Sequence, residues 1–305
     1  MKIAVFYYTQ TGQAYNVARS ICAPFTENDS QHNQVVYKKI EPMHTYPFPW
    51  SRTEFFSVFA ETYLGIILSE INKIDFSDIE DADIVIIVGQ SWYLSPSLPL
   101  QSFFADDNVK NYLKGRKVVF VNVCRNMWLM TSRKIKTYMK SIGALFVGHI
   151  VLQDRHQNLV SVVTIVRWLI KGKKEATRLF PQSGVSEKDI NEASRFGDII
   201  LSEWEKDHSL SHLQERLLDS GAIEYNPSVL FLEKAGHRIF GIWANIIINK
   251  GNMGNIKRRF YESLLYYYLL FALFVVSPFV QLLFYLTYPI HRVSKNKGKD
   301  CRIDI

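Results

Sequence analysis

Cysteine is scarce in this 305-residue chain: Cys22, Cys124 and Cys301 are all there is. Their wide separation excludes a disulfide framework and a cysteine-rich zinc site, and suits a reducing compartment. No tight spacing of His, Cys, Asp and Glu points to a metal. Net charge is almost absent from residues 1–256, which carry 28 basic and 26 acidic side chains. A nearly neutral stretch offers no basic stripe for nucleic acid, and no such partner is expected. Apolar residues, in contrast, make up 48% of the chain and aromatics 14%. That is ample material for a core and excludes disorder as the main state.

The formal charge of +7 is concentrated near the C-terminus. From Lys257 to Arg302 there are eight basic residues (Lys257, Arg258, Arg259, Arg292, Lys295, Lys297, Lys299, Arg302) against Glu262 and Asp300. They flank Ser263–Ile290, 28 residues without a charge. An uncharged apolar run longer than about 18 residues is a membrane candidate. Tyr266, Tyr267 and Tyr268 at one end, and Tyr285 and Tyr288 at the other, suit the lipid–water boundary. At ~1.5 Å per residue a helix of this length reaches about 42 Å, enough for a tilted span of a ~30 Å hydrocarbon core. Pro278 near its middle can instead break it into a re-entrant hairpin, leaving both basic flanks on the cytoplasmic side. Both arrangements remain open. Residues 263–305 are thus expected to associate the chain with the cytoplasmic face of a membrane. Met1-Lys2 runs straight into an apolar strand, which reads as no signal peptide.

The front of the chain alternates strands and helices. Lys2–Tyr8 reads as a buried strand, followed by the loop Thr9-Gln10-Thr11-Gly12-Gln13 and a helix from Ala14 to Ile21. A strand, a Thr/Gly loop and a helix N-terminus make an anion site of free N–H groups, hydroxyls and a positive dipole end. Further strands are predicted over 34–40, 83–89, 117–123 and 144–153. Helices are predicted over 52–71, 98–113, 131–142 and 186–204. Five strands alternating with helices imply an α/β fold with a doubly wound five-stranded parallel sheet, with ligands at the carboxyl ends of its strands.

The segment YYTQTGQAYNVA resembles the phosphate loop of flavodoxins and flavodoxin-like FMN oxidoreductases. The resemblance covers residues 1–206 and implies FMN as cofactor. In that family Ser/Thr-x-Thr-Gly-x-Thr follows an aromatic strand end. Thr9, Thr11 and Gly12 match, with Gln10 and Gln13 between and beside them, whereas Ala14 stands where a third hydroxyl is usual. A second loop, Gly89–Pro96, holds Ser91, Trp92, Tyr93 and Leu94; the family stacks an aromatic from it on the flavin ring, making Trp92 and Tyr93 the candidates. A third, Cys124-Arg125-Asn126-Met127-Trp128, approaches the pyrimidine side in the family. YYTQTGQ, SWYLSPSLP and HIVLQDRHQNL are also similar to the dialkylresorcinol condensing enzymes of aryl-lipid and flexirubin biosynthesis. That likeness implies oxidative aromatisation of a 2,5-dialkylcyclohexane-1,3-dione beside a ketosynthase partner.

Arg125, Asp154 and His156 are the candidate catalytic residues: a guanidinium for enolate charge and an acid–base pair at the end of the fifth strand. Cys124 reads as a small strand-end residue rather than a nucleophile, and His149 as a core histidine. The insertion 157–185 contains the apolar run Leu159–Ile170, placed either at the membrane interface or over a greasy pocket. Residues 207–262 read as a helical linker and docking region. An NAD(P)H:quinone reductase, an electron carrier and a membrane scaffold for a ketosynthase are the competing functions.

Overall fold

The computed structural model describes residues 1–27, 33–280 and 282. Strands β1 (Lys2–Tyr7), β2 (Gln34–Lys39), β3 (Ile84–Trp92), β5 (Lys117–Cys124) and β6 (Leu145–Gln153) pair in parallel in the order β2-β1-β3-β5-β6. The two-residue β4 (Ser95–Pro96) folds back antiparallel on β3. This is the flavodoxin-like order. Alternate strand residues feed opposite cores, so the inner strands β1, β3 and β5 are buried on both faces and mostly apolar, whereas the edge strand β2 (QVVYKK) is only half-buried. Ile3, Val5, Ile86, Val88 and Val121 pack with α1 (Gln13–Glu27) and α9 (Ser194–Asp207). Ala4, Phe6, Ile87 and Phe120 pack with α4 (Leu98–Ala105), α5 (Asp107–Leu113) and α6 (Leu129–Ile142).

Three helices expected as single rods are broken. The stretch 52–71 divides into α2 (Arg52–Ser57) and α3 (Phe59–Leu64), and left-handed Gly65 ends it. The stretch 98–113 divides at Asp106, whose side chain accepts the Val109 amide and so starts α5 as an N-cap. The stretch 186–204 divides into α8 (Glu187–Asn191), capped by Ser186, and α9.

The insertion forms α7 (Asn158–Lys171). After α9 come α10 (Leu213–Asp219), α11 (Pro227–Ile248) and α12 (Ile256–Phe271). Leu213 and Leu217 of α10 join the core beside β6. Helix α11 packs Ala244 and Ile247 on Phe59, Ala60 and Tyr63 of α3, with Leu265 of α12 in the same cluster. It also lends α6 a cap. No side chain at the N-cap of α6 serves the helix, but the fully buried Glu233 accepts from the Leu129 and Met130 amides at 3.2 and 2.8 Å. Burial pushes that carboxyl up to about 7, against the pull of these amides.

Two readings of the C-terminal segment change. Pro278 does not break the helix: a π-helical turn, Ala272–Val276, precedes it, and Ser277–Val280 remain helical. The wider turn absorbs the bond that proline cannot make. Arg258 does not face outward as part of a basic flank. It is fully buried against Glu61 and Glu262. Among the described residues one helix, Ile256–Val280, is long and apolar enough to cross a membrane, with mean hydropathy 1.9 over its most apolar 18 residues. Tyr285, Tyr288, Arg292–Arg302 and any returning half of a hairpin lie outside the described residues.

Candidate functional site

Strand order reverses between β1 and β3, so a crevice opens at their carboxyl ends. A cavity of about 250 Å³ lies there. It is lined by Gln10, Thr11 and Gln13 after β1, by Gln90–Tyr93 at the end of β3, and by Val123–Arg125 at the end of β5. The Thr9 and Thr11 hydroxyls are buried without a hydrogen-bond partner. Gly12 has φ +83°, a conformation that disfavours side chains, and open space where a Cβ would stand. No acidic residue occupies the first turn of α1 to neutralise its N-terminal charge. Donor groups without partners around a helix N-terminus suit an anion such as a phosphate. Ala14 is fully buried in the core and adds nothing to the loop's polar face.

The second predicted loop is mostly strand. Gln90, Ser91 and Trp92 continue β3, and only Tyr93 and Leu94 turn the chain into β4. Both have positive φ, 50° and 61°, although neither is glycine. Such residues cost ~1–3 kcal/mol each and cluster at functional sites. Trp92 lies edge-on to Tyr46 (5.3 Å), Trp50 (5.5 Å) and Tyr8 (6.0 Å). Tyr93 packs on Phe55 and Phe59, and its hydroxyl donates to the Phe55 carbonyl. Burial pushes that hydroxyl well above its ordinary range. Ser91 donates to Asn122 Oδ1 at 2.9 Å.

Arg125 donates to Asn158 Oδ1 at 2.7 Å and to the Asn158 carbonyl at 3.2 Å. Burial pulls the guanidinium down to about 10, so it stays charged at neutral pH. Asn126 is buried and donates to the same Asn158 oxygen at 3.1 Å. Cys124 is buried, and its thiol is pushed up by burial, which leaves it unreactive.

Arg125, Ser91, Tyr93, Phe55 and Ile165 also border a second, mainly apolar chamber of about 390 Å³. Its far walls are Leu94, Gly236 and Phe240, with Leu269, Leu273 and Val276 from α12 and the π turn. The insertion contributes to both spaces. Ile165, Trp168 and Leu169 line the first, and Val162 and Ile165 the second, so α7 roofs the pocket.

Asp154 and His156 are not brought to these chambers. They line a separate polar cavity of about 600 Å³ with Asn126, Asn158 and Tyr225. Buried Asp154 accepts from His156 Nδ1 at 2.6 Å, from the His156 amide at 2.9 Å and from Ser161 at 2.9 Å. Arg155 pairs with Asp189 and Glu224 rather than with Asp154. His149 is fully buried against Phe120 with Nε2 3.1 Å from Ser132 Oγ. Trp50, Asn158 and the α11–α12 wall went unread in the sequence, whereas Trp168 falls in the run that was expected over a greasy pocket or at the membrane interface. An aromatic in a loop or an asparagine at a helix start carries no local sign of which cavity it borders.

No family model and no curated protein matches the chain. Solved structures with some similarity include flavodoxin 1 from Bacillus cereus, 12% identical over 66% of this chain and 98% of that one, with a TM-score of 0.36. A flavodoxin, WrbA-like protein from Agrobacterium tumefaciens is 11% identical over 67% and 98%, with a TM-score of 0.37. A flavoprotein in complex with FMN from Lactobacillus acidophilus is 15% identical over 49% and 92%, with a TM-score of 0.38. Strand order and loop placement, rather than these scores, define the fold.

Proposed function

We propose that the protein is an FMN-dependent oxidoreductase that acts on a hydrophobic ring compound at a membrane surface. One observation carries this reading. A cavity beside unpartnered hydroxyls at a helix N-terminus shares five wall residues with an apolar chamber, and Arg125 stands between them. The residues fit a flavin phosphate: Thr9, Thr11 and the amides around Gly12 would hold it. Trp92 and Trp50 would enclose the ring system. Bound FMN supplies a two-electron acceptor for hydride.

The resemblance to the dialkylresorcinol family narrows the substrate to a 2,5-dialkylcyclohexane-1,3-dione. Its oxidation to the resorcinol removes one hydride and one proton and forms a ring double bond. Arg125 would hold the enolate oxygen from its site between the chambers, where low solvent exposure strengthens the attraction. The apolar walls from α11, α12 and the π turn would hold the alkyl substituents and exclude water. No carboxylate lines either chamber among the described residues, so the acidic ring proton would pass to water as the 1,3-dione ionises before it enters, and Arg125 would hold the enolate that remains. The exposed row Phe260, Tyr267, Phe271, Phe274 and Phe279 supports attachment to the cytoplasmic face of the membrane. A ketosynthase that builds the ring is the proposed partner.

The test is anaerobic titration of the FMN-loaded protein with a synthetic dialkylcyclohexanedione. Bleaching of the flavin with release of one resorcinol per flavin supports the reading. Bleaching by NADPH but not by the dione, with electrons passed to a quinone, would replace it with quinone reduction.

A further inference from the structure

The phosphate loop lacks one hydroxyl that its resemblance implies, because Ala14 is buried in the core. A different segment lies against it. Gln13, the first residue of α1, donates through Nε2 to the Val185 carbonyl at 3.0 Å and accepts the Val185 amide on Oε1 at 3.2 Å. This pair of hydrogen bonds joins the start of α1 to the loop after α7 across 172 residues. Gly184 lines the same cavity as Thr11. Its φ is +83°, and a Cβ there would lie 2.7 Å from Trp168 and 2.9 Å from Gln13 Oε1, so the backbone must come this close.

The residue before it is Ser183. It is 1% exposed, its amide donates to the Lys174 carbonyl at 3.0 Å, and its hydroxyl has no partner. A buried hydroxyl without a partner costs ~1–3 kcal/mol, which a bound acceptor would recover. Thr9, Thr11 and Ser183 are thus three unpartnered buried hydroxyls on the two loops that meet at the N-terminus of α1.

We infer that Ser183 is a phosphate-binding residue, supplying from the 172–186 loop the hydroxyl that Ala14 cannot. The inference rests on the flavin reading for its ligand, but the anion site can be tested without it. Gln13 and Gly184 act as positioning residues: one ties the loop down and the other lets it approach.

The experiment compares the full-length protein with Ser183→Ala and Ser183→Thr. Binding of FMN and riboflavin is measured by fluorescence quenching, and binding of inorganic phosphate by phosphorus NMR line broadening. Loss of one hydrogen bond to a charged group predicts FMN affinity falling about 10- to 100-fold in Ser183→Ala. Riboflavin affinity should stay within about twofold, since it has no phosphate to lose. Ser183→Thr should retain most of the FMN affinity. Matching melting temperatures would show that the variants fold. An unchanged ratio of FMN to riboflavin affinity in Ser183→Ala overturns the inference. Ser183-dependent binding of inorganic phosphate without FMN binding would leave the anion site standing and remove the flavin reading. Binding of neither by the wild-type protein would end both.

Discussion

Arg258→Ala should detach α12 from the rest of the protein. The guanidinium is fully buried and spends all five N–H donors. Two go to Glu61 in a bidentate pair at 2.7 Å, one to Glu262 at 2.7 Å, and the others to the carbonyls of Ser57 and Gly251. Burial alone would lower its basicity, but Glu61 and Glu262 outweigh that and hold it charged. Removing it leaves two buried carboxylates facing each other without a cation. Breaking a buried pair in this way costs ~3–5 kcal/mol. Because Glu61 lies on α3 and Arg258 on α12, the loss falls on the docking of α12. Amide hydrogen exchange reads it directly: α12 protection should drop about 100- to 4,000-fold, at ~1.4 kcal/mol per tenfold. Protection in β1 and β5 should change little. Arg258→Lys keeps the charge but loses the fork, and should fall between. Replacing Arg258, Glu61 and Glu262 together by Met or Leu should restore much of the protection. If Arg258→Ala exchanges like the wild type, or if the triple variant is worse than the single one, the pinning argument fails.

The other predictions address the sheet core and the chambers. Gly197→Ala places a Cβ 2.0 Å from the Ile21 carbonyl oxygen, so α1 and α9 must separate; urea unfolding should show a loss at the upper end of ~1–3 kcal/mol. His149 is held neutral by burial, which pulls its pKa down from 6.5 to about 3. Between those values the unfolded chain binds the extra proton. Stability is therefore fully present above pH 6.5 and falls toward pH 3, by on the order of 5 kcal/mol at most. His149→Phe should flatten that part of a pH–stability curve. Gly236 borders the apolar chamber, and a Cβ there meets only Leu94 at 3.7 Å. Gly236→Leu should lower turnover of a long-chain dione at least about tenfold while leaving FMN affinity unchanged, the cost of one misfitted alkyl group being ~1–3 kcal/mol.

The inner strands were legible because they are buried on both faces, so an apolar run such as Ile84–Val88 needs no partner to be recognised. The breaks between helices were less so. Asp106 and Ser186 are ordinary capping residues, but a continuous apolar period on either side of Asp106 masked the first of them. The loops after β1 and β5 were readable from a strand end followed by polar residues. The one after β3 was misjudged, because a strand that outruns its neighbours into a two-residue hairpin has the same composition as a loop.

What no local pattern carries is pairing across the chain. Arg258 and Glu61 are 197 residues apart, and in sequence Arg258 is indistinguishable from Lys257 and Arg259 on either side. Counting all three as a lipid-facing flank overstated the charge offered to a membrane, since a guanidinium that satisfies two carboxylates cannot also face a lipid phosphate. The same pair changes the meaning of the apolar helix. Its first half is fixed to α3, while its second half walls the apolar chamber through Leu269, Leu273 and Val276. A helix that only anchored the protein would need neither contact. Its inner face is therefore part of the proposed substrate site, and a truncation after residue 262 should cost dione turnover even where the protein remains folded and holds flavin.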